Sequence, residues 1–147
     1  MPSYYISGDK NISPIDKKYK KIENLDLYFE ILSKIWDKDT CAPRLRDKYN
    51  KDNITCGQCS VTAFLTQDIF GGDVYGISLE DGNFHCFNKV NDTVFDLTCD
   101  QFKEKKLDYT KNTLQKREEH FKKKEKEERY LLLKERLINY LGDSYES

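Results

Sequence analysis

Over residues 25–36 the apolar side chains Leu25, Tyr28, Phe29, Leu32, Ile35 and Trp36 recur at three- and four-residue spacing, which predicts an amphipathic helix. A second helix is predicted over 59–70. Val61, Phe64, Leu65 and Ile69 form its stripe, Ala63 widens it, and Gly71-Gly72 stops it, because glycine takes the left-handed cap conformation at little cost. The period then changes. Three short strands are predicted over 73–79, 84–90 and 94–97, with Asp81-Gly82 and Asn91-Asp92 as hairpin turns. Residues 1–24 are polar and read as mostly irregular. Residues 41–53, with Pro43, read as a surface connector, and 98–107 carries no clear pattern.

The tail over 112–141 reads as one long helix. Within 115–129 seven Lys or Arg oppose five Glu, the mixture of a solvated helix face, and His120 is expected at that surface. The second half carries Tyr130, Leu133, Leu137 and Tyr140 or Leu141, expected to dock on the core, with a helix-mediated homodimer as the alternative. The expected class is α+β. A central helix packs on an antiparallel sheet of at least three strands, flanked by an N-terminal helix and a long charged C-terminal helix. One domain over 1–147 is expected, with its core at about 25–110.

Composition narrows the function classes. Charged residues make up 35% of the 147 and net charge is only −1, so nothing global favours nucleic acid or an anionic membrane. Ten Tyr, eight Phe and one Trp supply large side chains for a small core. No run is long enough to span a membrane, and the first residues lack the pattern of a signal peptide, so a cytoplasmic location is expected. Five cysteines, an odd number, fit reduced thiols better than a disulfide framework.

The candidate chemistry follows from where the thiols fall. Cys59 opens the second helix, where the positive end of the helix dipole favours thiolate and an unpaired backbone N–H can meet an oxyanion. Gln58 is a candidate side-chain donor to the same oxyanion. With Asn91-Asp92 as a two-residue turn, Val90 faces Thr93, Phe87 faces Asp96 and His85 faces Thr98. His85 and Asp96 then share a sheet face as diagonal neighbours, while Cys86 points away, and a one-residue slip would separate them. With Asp81-Gly82 as the other turn, Ser78 faces His85 and Gly76 faces Phe87, small residues that let the Cys59 helix approach that face. A thiol, an imidazole and an orienting carboxylate are the parts of nucleophilic catalysis.

Two other readings use the same cysteines. Cys56-Gly57-Gln58-Cys59 has the redox dithiol spacing, but Pro2, Pro14 and Pro43 all precede it, so the downstream cis-proline of that fold is missing. Structural zinc is the other, with Cys56, Cys59, His85 and Cys99 as ligands, or Cys41 or Cys86 in the set, although a second tight pair is lacking.

A resemblance adds to this. Cys56-Gly57-Gln58-Cys59-Ser60-Val61-Thr62-Ala63, Phe70-Gly71-Gly72, Phe84-His85-Cys86-Phe87-Asn88 and Phe95-Asp96-Leu97-Thr98-Cys99-Asp100-Gln101-Phe102 resemble the YunG-like family of small bacterial proteins. Thr40-Cys41-Ala42-Pro43, Glu128-Arg129-Tyr130 and Lys134-Glu135-Arg136 fit the same pattern. More distantly, a helix-borne Cys followed by a strand-borne His and Asp resembles the papain-like and transglutaminase-like core. That resemblance implies Cys59 as nucleophile, His85 as base and Asp96 as orienting carboxylate. The expectation is a cysteine hydrolase or acyltransferase acting on an amide, ester or thioester of a small molecule or peptide, with no cofactor. The alternative is a non-catalytic binding or scaffolding domain.

Overall fold

A computed structural model describes residues 4–80, 82–102, 107–110 and 112–142. The first predicted helix forms as α1, Leu25–Ile35, and Asn24 caps it by accepting from the Leu27 N–H at 2.9 Å. Leu25, Tyr28, Ile31, Leu32 and Ile35 are its buried face, with Trp36 just beyond. The second forms as α2, Cys59–Phe70. It is buried nearly all round and lies at the centre of the core. Its buried hydroxyls are satisfied locally: Thr62 accepts from Trp36 Nε1 at 2.9 Å, and Thr66 meets the Tyr28 hydroxyl at 3.0 Å.

The sheet has five antiparallel strands in the order β1-β4-β3-β2-β5: β1 Tyr5–Ser7, β2 Asp73–Ser78, β3 Phe84–Val90, β4 Thr93–Asp96 and β5 Thr113–Gln115. The three expected strands are its centre. β1 comes from the stretch read as irregular, and β5 from the start of the expected long helix. Register at the β3–β4 turn is as expected: Val90 pairs with Thr93 and Asn88 with Phe95, with Asn91 at φ 53. The β2–β3 register differs by one residue. Ser78 pairs with Phe84 and Gly76 with Cys86, because the loop closes as Leu79 N–H to Asn83 O at 2.8 Å. That leaves three loop residues, with Gly82 at φ 86, the usual geometry of a three-residue hairpin. Asp81 of the expected turn lies outside the described residues.

This slip relocates the central helix. Ile77, not Ser78, pairs with His85. α2 lies on the opposite sheet face, that of Cys86, Asn88 and Val90, where Asn88 Nδ2 donates to the Ala63 carbonyl at 2.9 Å. The expected approach of the helix over Gly76 and Ser78 on the His85 face is therefore corrected. Phe102 and Tyr109 from the segment after β4 cover the His85 face instead, through edge contacts with His85 and Phe87.

The expected 112–141 helix is divided. After β5 comes one turn, α3 Arg117–His120, and then α4 Lys124–Leu141. Two captures break it. Leu114 and Gln115 pair with the edge of β2, and Arg117 donates to the Phe64 carbonyl, Gln67 and Asp68 of α2 at 3.0–3.1 and 2.8 Å. Tyr130, Leu133, Leu137 and Leu141 are buried in the core, while Tyr140 is exposed. No helix among the described residues is long and apolar enough to cross a membrane.

Candidate active site

Gly57 sets the entry of α2. Its φ is +69, and a Cβ there would meet Cys41 Sγ at 2.5 Å and the Ala42 nitrogen at 2.8 Å. The Gly57 carbonyl accepts from Ala42 N–H at 3.0 Å, and its own N–H donates to Gln101 Oε1 at 3.3 Å. Gln101 Nε2 in turn donates to the Thr98 carbonyl at 3.0 Å. One amide side chain thus ties the helix start to the strand end that carries the carboxylate.

His85 and Asp96 are both fully buried, and His85 Nε2 lies 2.7 Å from Asp96 Oδ2. A carboxylate only accepts, so Nε2 carries the proton. Asp96 Oδ2 also accepts from the Tyr109 hydroxyl at 2.8 Å, and Oδ1 accepts from the Thr98 N–H at 3.1 Å and the Thr98 hydroxyl at 3.4 Å. The carboxylate is thereby fixed on both oxygens. His85 Nδ1 remains buried without a well-formed hydrogen bond.

Cys59 lies beside the His85 ring. It is the first residue of α2 and is partly exposed, and its thiol reaches toward the Phe84 carbonyl at 3.8 Å, at the first residue of β3. Cys86, beside it on the helix face of the sheet, holds the Cys59 thiolate through its own thiol and backbone N–H. Burial opposes this, and the His85 ring adds hydrogen bonding and charge, so the Cys59 pKa falls well below the usual thiol value. Burial pushes the His85 imidazolium down, but the Asp96 charge and hydrogen bond, with Cys59, outweigh it and lift the pKa to about 10. Cys86 moves up, because it is deeply buried and would place a second negative charge against Cys59. The two shifts run in opposite directions, and both favour a Cys59 thiolate beside a His85 imidazolium.

The site opens into a cleft of about 800 Å³ lined by Cys59, His85, Phe84, Gln101 and Phe102 on one side and by α3 and the start of α4 on the other. Gln58 does not line it. Its Nε2 donates to the Asp37 carbonyl at 3.0 Å and the residue is fully buried, so the oxyanion donor expected of Gln58 is turned away from the thiol. Of the proposed zinc ligands, Cys56 points to the Leu45 carbonyl at 3.7 Å and neighbours Cys41, and Cys99 sits toward Tyr5. Among the described residues no three His, Cys, Asp or Glu side chains are grouped to hold a metal. Sequence reasoning missed Tyr109, Cys86 and His120 at the site. Alternation along β3 correctly aimed Cys86 away from His85; the one-residue slip put the helix, and with it Cys59, on the Cys86 side. His120 is not solvated at the surface as expected: it is half-buried, 5.1 Å from the Phe64 ring, and lines the cleft.

Fold and site together define an α+β protein with a helix-N-terminal thiol set against a strand-borne His–Asp pair. The family model described as YunG protein matches residues 24–142, and the chain belongs to that family. It is 33% identical over 72 residues to the uncharacterized protein YunG of Bacillus subtilis (strain 168), a match covering 49% of this chain. The matched region spans 57% of that relative's length. No solved structure matches the chain significantly.

Proposed function

We propose that the protein is a cysteine hydrolase or acyltransferase of papain-like character, acting on an amide, ester or thioester. The observation that carries this reading is a buried His85, anchored to Asp96 through Nε2 and open at Nδ1, beside a partly exposed Cys59 at a cleft. The large majority of buried side-chain polar atoms are paired, so an open ring nitrogen beside a thiol calls for an explanation that catalysis supplies.

In this reading the Cys59 thiolate attacks the carbonyl carbon, forming a C–S bond and a tetrahedral oxyanion. The backbone N–H of Cys59, in the unpaired first turn of α2, is the donor nearest to hand. The C–N or C–O bond (C–S for a thioester) then breaks, and His85 Nδ1 gives its proton to the leaving group. Water or an acceptor nucleophile next attacks the thioester, Nδ1 takes its proton, and the thiolate returns. Asp96 accepts from Nε2 throughout and holds the ring.

The test is the rate of Cys59 alkylation by iodoacetamide against pH. The expected profile is flat from well below pH 8 up to neutral pH, with a rate at pH 6 about a hundredfold above free cysteine, whose pKa is near 8.5. His85→Ala is expected to return the profile to that of an ordinary buried thiol. A Cys59 that titrates like free cysteine and ignores His85→Ala overturns the proposal.

A further inference from the structure

The cleft is cationic. Five Lys or Arg side chains line it, three of them from residues 123–129, against two carboxylates among the described residues, and both carboxylates are already engaged: Glu125 with Arg129 at 2.7 Å and Glu119 with Lys122 at 3.3 Å. Lys48 and Lys123 are exposed at the rim, whereas Lys126 is half-buried inside. No carboxylate among the described residues pairs with Lys126. Its ammonium donates instead to His120 Nδ1 at 2.9 Å.

That contact is built rather than incidental. His120 Nε2 lies 2.7 Å from Gln115 Oε1, which accepts, so Nε2 carries the ring proton and Nδ1 is left to receive Lys126. Burial and the neighbouring Lys126 push the His120 pKa down to about 4, which keeps the ring neutral. Gln115 has room to do this because Gly76 has no Cβ; one there would come within 2.6 Å of Gln115 Nε2. A neutral acceptor thus aims a cation without cancelling its charge. Burial lowers the Lys126 pKa and the charge of Cys59 opposes that, and both side chains line the same cleft, so the ammonium and the reacting sulfur share one cavity.

We propose that the cleft selects an anionic substrate, one with a carboxylate or phosphate close to the reacting carbonyl, and that Lys126, aimed by His120 and Gln115, receives that charge. This rests on the reading of Cys59 as nucleophile but concerns a different wall of the cleft. Lys126 is a binding residue here, and His120 and Gln115 are positioning residues.

Two reagents that differ in charge test it on the intact protein: iodoacetate, an anion, and iodoacetamide, its neutral counterpart. Their rate ratio at Cys59 cancels the thiolate fraction. The ratio is expected to exceed that of free cysteine by about tenfold in dilute buffer and to shrink in high salt. Lys126→Gln should return it to the free-cysteine value, Lys126→Arg should retain it, and the distant Lys34→Gln should leave it unchanged. A ratio equal to that of free cysteine, or one unaffected by Lys126→Gln, overturns the proposal. A second measurement does not need the thiol. In Cys59→Ser protein, titration with succinate and with inorganic phosphate, followed by the ring resonances of His120, is expected to show saturable binding of one or both. The stronger anion identifies carboxylate or phosphate chemistry, and Lys126→Gln should abolish the binding. Binding of neither anion overturns the proposal. If iodoacetamide labels Cys59 no faster than free cysteine while anions still bind through Lys126, the nucleophile reading fails and the anion site stands; fast labelling with no charge preference is the reverse.

Discussion

The molecule contains two pairs of neighbouring cysteines, and they behave oppositely. In the Cys41–Cys56 pair burial raises both thiols, Cys41 to about 11, and nearby Arg side chains only partly offset it. In the Cys59–Cys86 pair the second thiol is buried just as deeply, yet Cys59 is pulled down. Both pairs offer a neighbouring thiol, and both begin from the same loop that enters α2. What the second pair adds is a base. His85, charged through Asp96, lies beside Cys59 and adds hydrogen bonding and charge to the hold of the Cys86 thiol on the Cys59 sulfur, whereas no imidazole lies beside Cys41 or Cys56. A neighbouring thiol alone leaves its partner raised, as at Cys56; a neighbouring thiol together with an anchored imidazole lowers it.

The largest expected effect breaks this difference at its source. Asp96→Asn removes the charge that holds His85 protonated, so Cys59 should titrate like the other pair and its alkylation at pH 6 should fall by about a hundredfold. It also leaves a buried imidazole without its counter-charge, at a cost of about 3 kcal/mol in urea unfolding. The pH dependence has a definite sign. His85 has a raised folded pKa, so its stabilisation is complete below about 6.5, the unfolded value, and is lost as pH rises through about 10. The advantage of wild type over Asp96→Asn should shrink over that window.

Gly57→Ala should disturb both pairs at once, since its Cβ would press on Cys41 Sγ and on the backbone that positions Cys59. A cost of about 2 kcal/mol is expected in denaturant unfolding, with slower Cys59 labelling as the helix start shifts. The smallest effect separates the partners. Cys86→Ala removes the thiol donor that contributes most to holding the Cys59 thiolate and should slow labelling at pH 6 by about tenfold, the worth of one hydrogen bond to a charged group, whereas Cys56→Ala should leave it unchanged.

The His85–Asp96 contact was legible because it lies within one hairpin. A two-residue Asn91-Asp92 turn fixes the register, and alternation does the rest. The facing partner was less so. The three-residue loop ending at Gly82 shifts β2 by one residue and turns the other sheet face to α2, and Asp81-Gly82 alone does not distinguish the two loops. The 112–129 stretch was misread for another reason. Its mixed charges suit a solvated helix, but Arg117 finds Asp68 and the Phe64 carbonyl, and Arg129 finds the Thr40 carbonyl at 3.2 Å. Such long-range capture of a charged side chain leaves no periodicity in the sequence. Tyr109 on Asp96 likewise carried no signal, since it arrives from an irregular segment.

With only two histidines in the chain, NMR of the imidazole rings reads the central claim directly. His85 is expected to remain charged up to about pH 10 and His120 to remain neutral down to about pH 4, with His85 moving down in Cys59→Ser and further in Asp96→Asn. A His85 that titrates near the ordinary value of about 6.5, and does so equally with and without the Cys59 thiol, would contradict a thiolate–imidazolium pair at this site.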